Sequence, residues 1–191
     1  VTVYGGTYNA NVFNQHYIFE VQSSIEYAIE ENSNGTWTIV PSVAWVDNQE
    51  KSGNWYTYDI GYATLEEAFA AAAKCNREDY VETVTMLQDI TLENTITVNA
   101  GEEIVLELNG KSIDVANENI NCDIYGKLTL NDQVGSGVFT SRNHWVHKNA
   151  EFIVNSGTVQ NIATATGGFP IYLDGGKVTI NGGTVQALNG K

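Results

Sequence analysis

Large apolar residues alternate with polar ones in short bursts along the second half of the chain, and each burst runs into an asparagine. Four segments align: IVLELNGKSI from Ile104, GKLTLNDQVG from Gly126, EFIVNSGTVQ from Glu151 and KVTINGGTVQ from Lys177. Their apolar pairs are Leu106 and Leu108, Leu128 and Leu130, Phe152 and Val154, and Val178 and Ile180. The asparagines that follow, Asn109, Asn131, Asn155 and Asn181, recur at nearly regular intervals. Alternation of period two predicts a strand with both apolar side chains on one face. A second short strand is expected after each turn, at Ile113, Val138, Val159 and Val185. An upstream one is expected where Trp145-Val146-His147 matches Ile171-Tyr172-Leu173, one interval later. VTMLQDI, with Val84 and Met86, reads as an earlier member of the series.

Two or three short strands per interval, joined by Asn, Gly and Asp turns, describe one coil of a solenoid. Asn and Gly accept the left-handed backbone that such turns need, and asparagines at one point of successive coils can stack as a side-chain ladder. The expected fold is therefore mostly β: a right-handed parallel β-helix of about five coils. A leucine-rich repeat has a similar period, but it leaves two residues between the last strand leucine and the Asn. Here the Asn follows directly, and Thr, Val and Ile stand where leucines would.

An open coil end needs a cover, and TLEEAFAAAAKC supplies one. Thr64 and Glu67 form a capping box, and Leu65, Ala68, Phe69 and Ala72 make an apolar stripe at helical spacing. A helix over about 65–77 is expected, lying on the first coil. The front of the chain differs in kind, since twelve of the twenty aromatic residues fall within positions 1–62. IEYAIEE, then NSNG, then TWTIVPSV predicts a β-hairpin turning at Asn34-Gly35. The expected domains are thus an aromatic hairpin region over 1–60 and a helix-capped β-helix over 61–191.

Taken together, Gly5-Gly6-Thr7, Asn34 to Thr38, Thr64 to Ala73, Leu106 to Lys111, Gly126 to Asp132 and Gly182-Gly183-Thr184 resemble the β-helix repeats of large Gram-positive cell-surface proteins, many from gut bacteria. The resemblance spans nearly the whole chain, although each phrase alone is of low specificity. It implies an extracellular, tandemly repeated, adhesin-like module on a bacterial surface, with a host protein (immunoglobulin among them) or a host glycan as partner, beside neighbouring repeats. Val1 to Ala10, VTVYGGTYNA, matches VTINGGTVQA from Val178 at six of ten positions. It therefore resembles the last coil of a preceding repeat, and is expected to stack where a neighbour's coil would.

Composition narrows the alternatives. A net charge of -14, from 23 acidic against 9 basic residues, argues against nucleic acid and anionic membranes as partners. No stretch approaches the ~20 apolar residues of a membrane span. The only Met is Met86, and without a signal or sorting motif the chain is expected to be a piece of a longer protein. Cys75 and Cys122 pair in no CxxC motif, and both a disulfide and two buried thiols stay open.

β-Helices also carry polysaccharide lyases and hydrolases. Hydrolysis needs two carboxyl groups about 5 Å apart, or about 6.5–9.5 Å for inversion. In the register of the asparagines the residues between the apolar pairs are Glu107, Thr129, Ile153 and Thr179, one carboxylate without a partner. Asp174 falls opposite Lys148. No catalytic residue, cofactor or metal is expected. The ligand-binding candidates lie instead in two aromatic clusters. SRNHWVHKN gathers Arg142, His144, His147 and Lys148 around Trp145, a basic aromatic patch suited to an anionic sugar or a carboxylate-bearing protein surface. The phase of that strand is open, since either Val146 or the pair Trp145 and His147 could face inward. Trp45, Trp55, Tyr56 and Tyr58 form the second cluster, with sugar stacking and core packing both compatible.

Overall fold

A computed structural model describes residues 25–47, 60–74, 80–162 and 167–188, together with the backbone of 6–8, 51–52 and 55–56. The chain divides into two compact units, Val1–Leu87 and Gln88–Lys191.

In the first unit β1 (Gly6–Tyr8), β2 (Tyr27–Glu31) and β3 (Trp37–Pro41) form an antiparallel sheet in the order β1-β3-β2. The β2–β3 hairpin turns where expected. Gly35 holds φ 76°, and its N–H donates to the Asn32 carbonyl at 2.9 Å. Gly6-Thr7-Tyr8 pairs antiparallel with Ile39, Thr38 and Trp37. The GGT phrase therefore borders a hairpin here, whereas its counterpart Thr184 opens a parallel strand.

Five further strands follow: β4 (Ala44–Val46), β5 (Lys51–Ser52), β6 (Trp55–Tyr56), β7 (Ile60–Tyr62) and β8 (Thr83–Met86). β4 pairs antiparallel with both β7 and β8, and β5 with β6. Helix α1 (Leu65–Ala72) spans its apolar stripe and ends before the expected residue 77, with Ala73 at its C-cap. Its capping box is complete: Thr64 Oγ1 accepts from the Glu67 N–H at 3.2 Å, and Glu67 Oε2 accepts from the Thr64 N–H at 3.2 Å. Leu65, Ala68, Phe69 and Ala72 are buried, and the helix lies against β4, β7 and β8.

The second unit is a parallel β-solenoid of about four turns. Its strands are β9 (Ile90–Leu92), β10 (Ile96–Val98), β11 (Glu103–Glu107), β12 (Ser112–Val115), β13 (Cys122–Ile124), β14 (Lys127–Asn131), β15 (Val138–Ser141), β16 (Asn143–Val146), β17 (Glu151–Val154), β18 (Thr158–Asn161), β19 (Phe169–Leu173), β20 (Lys177–Ile180) and β21 (Thr184–Gln186). Each turn visits three sheets. The first stacks β11, β14, β17 and β20; the second β10, β13, β16 and β19; the third β9, β12, β15, β18 and β21.

Register corrects the sequence reading in the first of these turns. Ile104 lies over Leu128 and Leu106 over Leu130, so Glu107 falls opposite Asn131. The inward pair is therefore Ile104 and Leu106, and the outward residue between them is Val105. Leu108 is buried as well, which makes Leu106 and Leu108 look like the pair. Asn109 instead turns the corner at φ 51°, and Glu107 heads the Asn131–Asn155–Asn181 column. That column is a ladder. Asn155 Nδ2 donates to Asn131 Oδ1 at 2.9 Å, and Asn181 Nδ2 to Asn155 Oδ1 at 2.8 Å. In the third sheet Phe139, not Val138, continues the buried column between Ile113 and Val159.

Charges on the first sheet alternate down a column, Glu103, Lys127, Glu151, Lys177. Lys127 pairs with Glu103 and Lys177 with Glu151, and the Lys177 bond holds the Glu151 carboxyl below its usual range. Corners close through tight backbone packing. At Gly126 an added Cβ would stand 2.3 Å from the Asn99 carbonyl oxygen and 2.4 Å from that of Glu102. Gly126→Ala should therefore lower the stability of the second unit by about 1–3 kcal/mol, as overpacking against backbone does, in denaturant unfolding. A change below about 0.5 kcal/mol, the range of an uninvolved surface position, would contradict this packing.

Candidate functional site

The second sheet carries the site. β16 resolves the open phase: His144 and Val146 face inward and are fully buried, while Asn143 and Trp145 face outward, with His147 following. Trp145 lies in register with Asp123 on β13 and Tyr172 on β19. A register shift between Asn143 and His144 lengthens the β16–β19 offset by one from His144 onward. Tyr172 is therefore the neighbour of Trp145, and Ile171 that of His144. The same shift sets Asp174 one step beyond the Val146–Leu173 pair, level with His147 rather than with Lys148.

The result is an aromatic face. Trp145 meets Tyr172 edge to face at 5.4 Å, and Tyr172 lies 5.9 Å from Phe169. The His147 ring stacks on Tyr125 at 3.9 Å and on Trp145 at 4.6 Å, with interplanar angles of 9° and 19°. Tyr125, Phe169 and Tyr172 are 42–43% exposed, which leaves their rings open to a ligand. His147 Nε2 is 3.7 Å from Asp123 Oδ1. Burial raises the Asp123 carboxyl above its ordinary value, and His147 pulls it partly back. Three polar atoms of this cluster, Asp123 Oδ1, Trp145 Nε1 and His147 Nε2, are buried without a hydrogen-bond partner.

The remaining candidates are dispersed. Arg142 donates from Nη1 to the Glu118 carbonyl at 3.3 Å and lies 3.5 Å from Asn119 Oδ1. Lys148 is exposed at the corner. His144 belongs to the core, where its ring stacks on Phe152 and meets Phe139 edge on, out of reach of a ligand. In the first unit Trp45 is half-buried on β4, between buried Ala44 and Val46. Trp55 and Tyr56 contribute their backbone to β6; their side chains, together with Tyr58 and Cys75, lie outside the described residues. Cys122 is a free, buried thiol whose pKa is pushed up by burial. Tyr125, Phe169, Tyr172 and Asp123 did not stand among the expected binding residues. The signal for Tyr125 and Asp123 was the match of Asp123-Ile124-Tyr125 to Trp145-Val146-His147, one turn on.

Ser141 and His144 make a buried pair, but its chemistry is not that of a nucleophile and base. His144 Nδ1 lies 2.7 Å from the Pro170 carbonyl oxygen and 3.1 Å from Ser141 Oγ. A carbonyl only accepts, so Nδ1 carries the proton and cannot take one from the serine. Among the described residues no three His, Cys, Asp or Glu side chains gather into a metal site, and no helix is long and apolar enough to cross a membrane. No protein-family model, curated protein or solved structure matches the chain.

Burial pushes the His144 imidazole down to about 4 from 6.5. The folded state therefore refuses a proton that the unfolded state binds. The corresponding stability is complete above pH 6.5 and falls as pH drops toward 4, by about 1.4 kcal/mol per unit. Between pH 7 and pH 5 the wild type should lose about 2 kcal/mol more than His144→Phe, measured by urea unfolding at both pH values. Equal losses would show that His144 is not held neutral in the core.

Proposed function

We propose that this chain is a non-catalytic binding repeat of an extracellular bacterial surface protein, and that it engages a host glycan or a host protein through the aromatic face of the second sheet. The observation carrying this reading is the registered row Asp123–Trp145–Tyr172, flanked by the Tyr125–His147 stack, with three rings left exposed. A solenoid needs none of these rings outside its core. Exposed aromatic side chains on a rigid scaffold are what binding surfaces concentrate, since they bury large areas at small entropic cost. The sequence resemblance to surface repeats supports the same reading, as does a net charge of -14, which suits neither nucleic acid nor an anionic membrane.

A spacer role is compatible with binding, and the unbroken Asn and Glu–Lys columns favour a stiff stalk. A carbohydrate-active enzyme would need a carboxylate pair on one face. Asp123 stands beside the His147 imidazole, and Asp174, the other carboxylate of this sheet, lies two strands from it.

The test is a binding screen of the purified chain against immobilised immunoglobulin and mucin, with Trp145→Ala/Tyr172→Ala alongside and Thr129→Ala, on the first sheet, as control. Saturable binding is expected for the wild type and the control, with a loss of tenfold or more in the double variant, the equivalent of about 1.4 kcal/mol. A folded chain that binds neither would leave the stalk reading in place. Undiminished binding by the double variant would move the site off this face, and release of sugar fragments from mucin would replace binding by catalysis.

A further inference from the structure

Size, charge and ring chemistry together narrow what the aromatic face can hold. We propose that it takes an uncharged saccharide, a few sugar rings long, seated on Tyr172, Trp145 and Tyr125. The proposal rests on the binding-module reading above and names the ligand class for that same face.

Size comes first. The second sheet has four strands of three to five residues. At about 4.8 Å between strands and about 3.3 Å per residue, its outward face measures roughly 15 Å each way, or about 200 Å². A standard protein interface buries about 800 Å² on each partner, so a protein would have to find most of its contact elsewhere. A short oligosaccharide is covered by such a face in full.

Charge comes second. The basic patch expected from SRNHWVHKN does not assemble. His144 is buried, Arg142 is turned to the Glu118 carbonyl, and His147 stands beside Asp123. Lys148 is exposed at the corner, and Asp174 follows Tyr172 and Leu173 on the neighbouring strand. Asp123 and Asp174 thus offset Arg142 and Lys148, on a chain whose overall charge is -14. A sialylated or sulfated ligand would find no net attraction here, and a neutral one loses nothing.

Ring chemistry comes third. The carbon-bound hydrogens of a sugar ring pack against an aromatic face, and Tyr125 and Tyr172 leave their rings exposed on this sheet. Asn143, whose amide donates to Asn121 Oδ1 at 3.2 Å, adds a polar edge to the platform.

The experiment probes the whole chain on an array of neutral glucose, galactose, mannose and N-acetylglucosamine oligosaccharides, with sialylated and sulfated forms of the same backbones and an immunoglobulin spot. Hits are titrated by tryptophan fluorescence. At least one neutral oligosaccharide should saturate, its acidic forms should bind no more tightly, and raising NaCl from about 50 to about 500 mM should change affinity less than twofold. Tyr172→Ala should weaken binding about tenfold, while Tyr172→Phe keeps it within about threefold. Thermal midpoints of these variants should stay at the wild-type value, because Tyr172 lies outside the core. Immunoglobulin binding that needs Tyr172, with no saccharide bound, would sink the saccharide proposal and spare the binding-module reading. Binding restricted to acidic glycans and lost at high salt would overturn the neutral class. A folded chain bound by nothing on the array would overturn both.

Discussion

In-register parallel pairing governs everything in the second unit. Each strand lies directly over its counterpart one turn away, about 4.8 Å off, so every side chain must be compatible with a near relative above and below. Apolar residues meet this by stacking into continuous columns, as Ile104, Leu128 and Phe152 do. Carboxamides meet it because each both donates and accepts, which turns Asn131, Asn155 and Asn181 into a ladder. Ionised side chains cannot repeat without repulsion, and the first sheet answers by alternating Glu103, Lys127, Glu151 and Lys177. Aromatic rings in the same position are forced together whether or not they are buried.

The candidate site is a local consequence of that constraint. Once β16 sets Val146 and His144 inward, Trp145 and His147 have no choice but to face out, beside Tyr172 and Tyr125. The same phase places an imidazole between Cys122 and Ile171 in an otherwise apolar column. His144 is tolerated there because the Pro170 carbonyl accepts its one proton and Phe139 and Phe152 pack its ring. The acid sensitivity of the core and the layout of the outer face thus have one origin, the register of one short strand.

Much of this was legible in the chain. The capping box at Thr64, the turn at Asn34-Gly35, the solenoid and the Asn ladder from Asn131 onward all follow from local rules that the structure obeys. Register was harder to read. At Leu106 and Leu108 three alternating apolar residues in a row hid which two form the repeated pair, and the asparagine that looked like the first rung turned a corner instead. At β16 a single irregularity between Asn143 and His144 lengthened the offset by one, and so exchanged the outward Tyr172 for the inward Ile171. A one-residue slip carries a side chain to the opposite face, which is why a motif can be found correctly while its neighbours are misassigned. The basic patch failed for a related reason. Arg142, His144, His147 and Lys148 are close in sequence, but alternation sends them in different directions.

Paired-cysteine cross-linking across β16 and β19, in a background with Cys75 and Cys122 replaced by serine, tests that register most directly. Neighbouring positions on adjacent strands lie within the Cα separation of about 4.4–6.8 Å that a disulfide spans. Trp145→Cys with Tyr172→Cys should oxidise readily to a cross-linked species, read by mass after tryptic digestion, and Trp145→Cys with Ile171→Cys should not. The reverse outcome, with 145 joining 171, would place Tyr172 on the inner face and dissolve the aromatic platform on which the functional account stands.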